Sequence, residues 1–114
     1  MIKRLRVGSR MSQAVVHGDT VYIAGQVATA STGSVEEQTQ DVLGKIGSLL
    51  EEVGSDKSKL LAVSVFLVNI ADFDAMNSVY DRWIDTANPP VRACVEARLA
   101  DPDLRVEMTA IAAL

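Results

Sequence analysis

Cysteine and histidine are nearly absent from this 114-residue sequence, which contains one of each. A single cysteine excludes an internal disulfide and any zinc site built on two or more thiolates. A single histidine excludes a metal centre with several imidazole ligands. These absences argue against most metalloenzymes and against small disulfide-stapled secreted folds. We therefore expect no metal site and a reducing compartment, which indicates a cytoplasmic location.

Long apolar runs and an excess of positive charge are missing as well. No stretch of about 18 apolar residues is present, so we expect no membrane span. No apolar segment of signal-peptide length follows the basic start Met1–Val7. Its arginines and the lack of acids in the first 18 residues also occur in organelle transit peptides, but a first strand with solvated charges is the favoured interpretation.

The charge balance and the length limit the partners and the domain count. Eleven Lys and Arg against fifteen Asp and Glu leave a net charge of −4. Binding to a phosphate backbone needs clustered positive charge, so a nucleic acid partner is not expected. A chain of 114 residues is sufficient for a single domain, which we predict over residues 1–114.

The apolar pattern predicts the element order β-β-β-α-β-α-β-β. The turn residues His17–Thr20 separate two short apolar runs, which indicates a β-hairpin. Ser34 and Glu37 have the spacing of a capping box, and Gly54 follows the end of that helix. Leu60–Val68 is apolar on both faces, which is typical of a central strand covered on both sides.

The second half of the chain adds one helix and two strands. Asp72 is placed to cap a second helix, which Asn88–Pro90 ends because proline cannot continue a helix. Val91–Arg98 alternates between apolar and polar residues, and Leu104–Ala113 predicts a last strand. Two helices can cover only one face of about six strands. With aromatic residues at 4%, self-association is the economical way to cover the other face, and we predict a homo-oligomer.

Arg92 and Glu107 are the charged residues most suited to chemistry. Arg92 opens a strand after two prolines, and its guanidinium binds planar carboxylates. Glu107 interrupts an apolar strand, where a carboxylate must be paired, hydrated or functional. The alternative is a surface arginine with a structural ion pair. The sequence has no glycine-rich phosphate loop, nucleophile elbow or histidine-centred triad.

The spacing of Arg92 and Glu107 in the sequence limits how close the two side chains can lie within one chain. If the last two strands form a hairpin about Asp101–Pro102, Arg92 lies near Ile111. Glu107 is then about four residues away, or roughly 13 Å, which is too far for a direct pair. Either the two residues act from different subunits, or the two strands are not hairpin neighbours.

Several segments together resemble the Rid (reactive intermediate deaminase, YjgF-like) family, over about residues 9 to 113. The strongest are Pro90–Glu96 and Val106–Ala112, with the family's spacing between arginine and glutamate. The supporting segments, in order, are Ser12–Val15, Val21–Gln26, Glu37–Thr39, Val65–Leu67 and Met76–Tyr80.

The resemblance implies a chorismate-mutase-like α+β fold, with about six strands in a mixed sheet and two helices on one face. It also implies a homotrimer with a central barrel and ligand clefts between subunits. The family activity is hydrolysis of 2-imino acids and their enamine tautomers to 2-keto acids and ammonia, of the 2-iminobutanoate and 2-iminopropanoate type. No cofactor is expected, because an iminium carbon is already electrophilic.

The resemblance also assigns roles to individual residues. Arg92 would hold the substrate carboxylate with help from the backbone N–H of Cys94. Glu107 would position and polarise the attacking water. Gly25 would bring the backbone close to the ligand, and Asn77 would line the cleft.

Two departures from the family pattern concern the same cleft. Met11 and Ala24 stand where well-studied imine deaminases have a tyrosine and a serine, so two hydroxyls are lost. The alternative function is therefore a non-catalytic trimer that binds a small carboxylate and has a regulatory role. Ribonuclease or chaperone-like activity, attributed to some relatives, is more remote, and the acidic charge argues against the first.

Other chemically distinctive residues have structural interpretations. Cys94 is expected to be a small buried hydrophobe rather than a nucleophile, since no histidine is placed to activate it. Phe73 and Trp83 are expected to be helix core rather than ligand-stacking groups.

Overall fold

The computed structural model describes residues 1–114, and its helices and strands follow the predicted order. Two single-turn 3₁₀ helices, Lys57–Lys59 and Ile70–Asp72, are additional. The strands are β1 (Ile2–Leu5), β2 (Ala14–His17), β3 (Thr20–Gln26), β4 (Leu60–Leu67), β5 (Val91–Glu96) and β6 (Val106–Ala113), and the helices are α1 (Val35–Glu52) and α2 (Phe73–Trp83).

All six strands form one mixed sheet in the order β1-β2-β3-β6-β4-β5. Only the β4–β5 pair is parallel. The assumption of a hairpin about Asp101–Pro102 is therefore wrong, because β4 lies between β5 and β6. The second of the two alternatives holds: the last two strands are not neighbours. The most apolar strand is inside the sheet, as predicted.

The ends of α1 form as the sequence predicts. The Ser34 hydroxyl accepts from the Glu37 N–H at 3.1 Å, and the Glu37 carboxylate accepts from the Ser34 N–H at 3.1 Å. Gly54 follows the helix with φ +82°, a left-handed conformation that glycine adopts without strain. In the β2–β3 hairpin Gly18 has φ +62° for the same reason.

The start of α2 differs from the prediction. The Asp72 side chain makes no capping hydrogen bond. Asn69 supplies the side-chain cap three residues earlier, where its Oδ1 accepts from the Ala71 N–H at 2.9 Å. The 3₁₀ turn Ile70–Asp72 then leads directly into α2, so the entry of this helix is stabilised one turn before the expected residue.

Both helices pack on one face of the sheet and close the core there. Val65, Leu67 and Met108 are at most 1% exposed. The core also includes Val42, Leu43, Ile46 and Leu50 of α1 and Met76, Val79 and Tyr80 of α2. Neither helix combines the length and apolarity that a membrane crossing requires.

The other face of the sheet, called here the open face, is uncovered in the single chain. Cross-strand pairing aligns one row of residues across all six strands: Arg4, Val15, Tyr22, Ile111, Ala62 and Val91. Tyr22 is 47% exposed and Val91 is 72% exposed. The prediction that β4 is covered on both sides is therefore wrong for one chain alone. A register shift between Leu60 and Ala62 also leaves Leu61 exposed, while Leu60 is buried.

Candidate functional site

Arg92 lies on the edge strand β5 and faces the helices. It pairs in register with Val63, whose side chain is in the core, so the Arg92 side chain lies on the helix-covered side. Its Nη1 donates to the Asn77 Oδ1 of α2 at 2.7 Å. The guanidinium lies 4.7 Å from the ring centroid of Tyr80 and 5.7 Å from that of Phe73. Two cation–π contacts and one hydrogen bond therefore fix its position.

The aromatic neighbours of Arg92 correct one prediction and extend the site. Phe73 is 39% exposed beside the guanidinium, so its assignment to the helix core is wrong. Trp83 is partly buried against the core, as expected. Burial raises the pKa of the Tyr80 hydroxyl, and the nearby Arg92 charge opposes that rise. Sequence reasoning missed Tyr80 as an Arg92 neighbour, although the spacing of Phe73, Asn77 and Tyr80 places all three on one helix face.

Arg92 has no carboxylate partner in the chain. The one ion pair joins Arg6 and Glu52, at 3.1 Å. Within the chain, Arg92 is therefore not part of an ion pair. A guanidinium has five N–H donors. Within the chain, one of these donors is used, in the hydrogen bond to Asn77. The remaining donors are free to bind a planar anion.

Cys94 lies two residues along β5 on the same side as Arg92, partly buried against the core. Burial raises the pKa of its thiol, opposed by the Arg92 charge, so the thiol stays protonated near neutral pH. This supports the expectation that the thiol is not a nucleophile. The Ala97 N–H donates to the Leu67 carbonyl at 2.9 Å. Because donors alternate along a strand, the Cys94 N–H points away from β4 at the free sheet edge.

Glu107 lies on the opposite side of the sheet. It pairs with Phe66 of β4, one position from the buried Val106 and Met108, so its side chain lies on the open face. Its carboxylate lies directly over Gly25 of β3, where a Cβ would collide with Oε2 and approach Cδ to 3.0 Å. The carboxylate makes no hydrogen bond or ion pair to another side chain of this chain. Gly25 therefore provides the space that Glu107 occupies.

The remaining predicted residues are Ala24, next to Gly25, and Met11, which the chain connects to them through Gln13. The Ala24 N–H donates to the Gln13 carbonyl at 3.0 Å, which places the chain before β2 beside Ala24 and Gly25. Met11, two residues earlier, is 48% exposed and lines a hollow of about 380 Å³. We call Met11, Ala24, Gly25 and Glu107 the Glu107 cluster. Asn77, Arg92 and Cys94 form the Arg92 cluster.

The two clusters cannot meet within one chain. Arg92 aligns through Val63 with Ala110 of β6, which is three residues from Glu107. Two strand spacings and three residues of rise give a Cα separation of about 14 Å between Arg92 and Glu107. Their side chains also lie on opposite faces of the sheet. The structure therefore places the predicted residues in two separate clusters.

The largest groove of the molecule, about 860 Å³, lies elsewhere, along α1 and the β2–β3 region. Its charged groups are already partnered. Lys45 donates to the Val27 carbonyl at 2.6 Å, Asp41 accepts from the Thr29 N–H at 2.7 Å, and Arg6 pairs with Glu52. No three His, Cys, Asp or Glu side chains lie close enough together to hold a metal ion.

Comparison with known proteins identifies the class to which this fold and these residues belong. The model of the family described as Endoribonuclease L-PSP matches residues 1–114. A RutC family protein from Haemophilus influenzae is 41% identical over 112 residues, covering 97% of both chains.

Solved structures agree with this match. The crystal structure of an uncharacterized protein from Pseudomonas aeruginosa has a TM-score of 0.96 and 42% identity, covering 99% of this chain and 98% of that one. A YjgF family member from Neisseria meningitidis has a TM-score of 0.96 and 38% identity, covering 99% and 94%. The fold is thus the YjgF-like fold, with two helices on a six-stranded mixed sheet. The chain belongs to the L-PSP family, whose members also carry the names YjgF and RutC, which confirms the resemblance seen in its sequence.

Proposed function

We propose that this protein is a cofactor-independent deaminase that hydrolyses 2-imino acids and their enamine tautomers to 2-keto acids and ammonia. The observation that supports this proposal most strongly concerns the Arg92 guanidinium. Asn77 and Tyr80 hold it in place from one side, and it has no carboxylate partner in the chain. Such a group is suited to bind the carboxylate of a small substrate. Membership of the L-PSP family is consistent with this activity.

The active site in this proposal is formed between subunits of a homotrimer. Each chain carries an Arg92 cluster at the free edge of β5 and a Glu107 cluster on the open face. The open face also exposes apolar side chains that a second copy would cover, with Tyr22, Ile111 and Val91 in one row. Packing β5 of one copy against the open face of the next covers this surface and brings Arg92 to Glu107. In a ring of such contacts every copy contributes one half of two different sites.

The chemistry needs positioning rather than a strong nucleophile. Arg92 and the outward Cys94 N–H hold the substrate carboxylate, which fixes the imine carbon beside Glu107. Glu107 accepts a proton from a water as the oxygen of that water adds to the carbon of the protonated imine. Glu107 then passes the proton that it took from water to the carbinolamine nitrogen, and the C–N bond breaks to release ammonia. Loss of the hydroxyl proton then leaves the 2-keto acid, so one water is consumed and one ammonia is formed.

Met11 and Ala24 change the walls of this site without removing its charged groups. Neither side chain can donate or accept a hydrogen bond through a hydroxyl, so orientation depends more heavily on Arg92 and the backbone. Loss of a hydroxyl that orients a ligand costs on the order of 1 kcal/mol. We therefore expect turnover that is measurable and more strongly dependent on Arg92 than in relatives that have both hydroxyls.

A coupled assay tests the proposal. An amino-acid oxidase generates 2-imino acids from alanine, 2-aminobutanoate or leucine in situ, and trapping of the remaining imine reports the hydrolysis rate. We expect acceleration by the wild-type protein and a loss of at least about 100-fold for Arg92→Ala and for Glu107→Gln. Arg82→Ala, which removes an exposed arginine on the outside of α2, is the matched control and should retain full activity.

Binding measurements separate catalysis from mere capture of a carboxylate. Titration calorimetry with the product 2-oxobutanoate should show binding to wild type and to Glu107→Gln but not to Arg92→Ala. Binding without any turnover over the imine panel would contradict the deaminase and support the carboxylate-binding module. Full turnover by Glu107→Gln would contradict the assigned role of Glu107.

A further inference from the structure

The N-terminal segment is basic in an otherwise acidic protein. The whole chain carries a net charge of −4, yet the first acidic residue is Asp19. The basic side chains before it are Lys3, Arg4, Arg6 and Arg10. The positions of three of these residues in the fold decide which of them can meet a ligand.

Arg4 and Arg10 line the same hollow as Met11. Arg4 pairs in register with Val15, and Val15 pairs with Tyr22, which places the Arg4 side chain on the open face. The Gly8 N–H donates to the Met11 carbonyl at 2.8 Å, which closes a tight turn with Arg10 at its tip. The lining of the hollow, about 380 Å³ in volume, contains both arginines and no acidic side chain.

Neither arginine is neutralised within the chain. The one ion pair of the molecule uses Arg6, whose Nη2 lies 3.1 Å from the Glu52 Oε1. Arg6 reaches α1 on the helix-covered side and does not line the hollow. The guanidinium groups of Arg4 and Arg10 make no hydrogen bond or ion pair within the chain, and both residues line one concave space. An anion entering it would meet attraction from both.

The hollow adjoins the Glu107 cluster. Gln13 is hydrogen bonded to Ala24, and Met11 lies two residues, at most about 7 Å of chain, beyond Gln13. Gly25, next to Ala24, lies directly under the Glu107 carboxylate. The chain therefore connects Gly25, under the Glu107 carboxylate, through Ala24 and Gln13 to Met11, which lines the hollow together with the two arginines.

We propose that this hollow binds a second carboxylate on the substrate, so that the protein favours imino acids whose side chain ends in an acid. The inference rests on the proposed function, since it takes the reacting carbon to lie beside Glu107. The carboxylate next to the imine carbon binds Arg92 of one copy. The methylene groups lie along Met11 of the next copy, and the distal carboxylate binds Arg4 and Arg10 of that same copy. Met11 supplies an apolar wall suited to one or two methylene groups.

A selectivity ratio tests the inference. The coupled assay is run at constant ionic strength with imino acids from glutamate and aspartate, made by the matching amino-acid oxidases, and with those from 2-aminobutanoate and leucine. We expect a higher kcat/KM for the acid-bearing substrates. Arg10→Gln and Arg4→Gln should each lower the ratio of acid-bearing to neutral kcat/KM by about 10-fold. Arg6→Gln removes a neighbouring charge that does not line the hollow and should leave the ratio unchanged.

The outcomes distinguish this inference from the proposed function. Hydrolysis of neutral imino acids without preference for acid-bearing ones, or a ratio insensitive to Arg10→Gln, overturns the second-carboxylate site and leaves the deaminase intact. If no imine is hydrolysed, the deaminase fails. Calorimetry then tests the second-carboxylate site without turnover. The inference requires that 2-oxoglutarate binds more tightly than 2-oxobutanoate and that Arg10→Gln removes this difference in affinity. Equal competition by inorganic phosphate overturns the assignment to a carboxylate.

Discussion

On the helix-covered face of the sheet Val65 and Leu67 are at most 1% exposed, whereas on the open face Tyr22 is 47% and Val91 is 72% exposed. The same strands thus carry one finished core and one apolar surface without a cover. The two candidate catalytic residues divide in the same way, since Arg92 lies on the first side and Glu107 on the second. One chain therefore forms a closed core on one face of the sheet and leaves the other face, which carries Glu107, uncovered.

A charge on the open face should have the largest effect. Ile111 lies in the middle of the exposed row and is 36% exposed, so Ile111→Asp can fold without burying the new carboxylate in its own chain. Between packed copies the same charge would be desolvated without a partner, which costs several kcal/mol. We expect a monomer by light scattering, a native circular dichroism spectrum and no deaminase activity.

Ser48→Asp adds the same charge on the exposed side of α1 and serves as the control. It should keep the oligomer and the activity. An active Ile111→Asp monomer would show that one chain suffices for the chemistry.

Gly25→Ala should have the next largest effect, because the new Cβ would collide with the Glu107 carboxylate. Displacing a catalytic group by about 1 Å can cost on the order of 100-fold in rate. We expect kcat to fall by that order while the thermal midpoint changes little, since the new methyl group lies where the flexible Glu107 side chain can move aside. Gly44→Ala, where a Cβ meets nothing within 4 Å, should raise stability by about 0.5–1 kcal/mol and leave kcat unchanged.

Asn77→Ala should have a moderate effect on the Arg92 side alone. It removes the one hydrogen bond that fixes the guanidinium but leaves the contact with Tyr80. We expect KM to rise about 10-fold, the value of a charge-assisted hydrogen bond, with a smaller change in kcat. Ser78→Ala, one position along α2, is the control and should leave both KM and kcat unchanged. A fall in kcat with unchanged KM for Asn77→Ala would instead place Asn77 in the chemical step.

Cys94→Ala should have the smallest effect. Burial raises the pKa of the Cys94 thiol, so the side chain stays protonated near neutral pH. In the proposed mechanism only the backbone N–H of Cys94 contacts the substrate. We expect activity within about 3-fold of wild type, and alkylation of the wild-type thiol by iodoacetamide more slowly than that of free glutathione at pH 7.5. Loss of activity in Cys94→Ala together with rapid alkylation would assign the thiol a chemical role.

The local parts of the fold were predictable from the sequence because short-range chemistry determines them. Ser34 and Glu37 define the start of α1, and Gly18 allows the β2–β3 turn, within a few residues each. Strand pairing depends on distant segments, so the neighbours of β5 could not be read from its own alternation. The sequence contains two residues that could cap the start of α2, Asn69 and Asp72. Its local pattern does not show that Asn69 forms the capping hydrogen bond.

The site was predictable in its residue types but not in its arrangement. Arg92 and Glu107 are charged residues in apolar strands, which is visible in the sequence. That they lie on opposite faces depends on β4 inserting between β5 and β6, which no local pattern indicates. The sequence also does not show which N-terminal arginine forms an ion pair. Arg6 pairs with Glu52 of α1, whereas Arg4 and Arg10 beside Met11 do not.

Mixed oligomers of the two inactive variants Arg92→Ala and Glu107→Gln test most directly whether the site is shared between copies. In a randomly mixed trimer a site is complete only where an intact Arg92 of one copy meets an intact Glu107 of the next, which gives about a quarter of the sites. We expect co-folded equal mixtures to recover about a quarter of wild-type activity, while each variant alone stays inactive. Mixed oligomers without recovery would show that both residues act within one chain or that one of them has no part in the reaction.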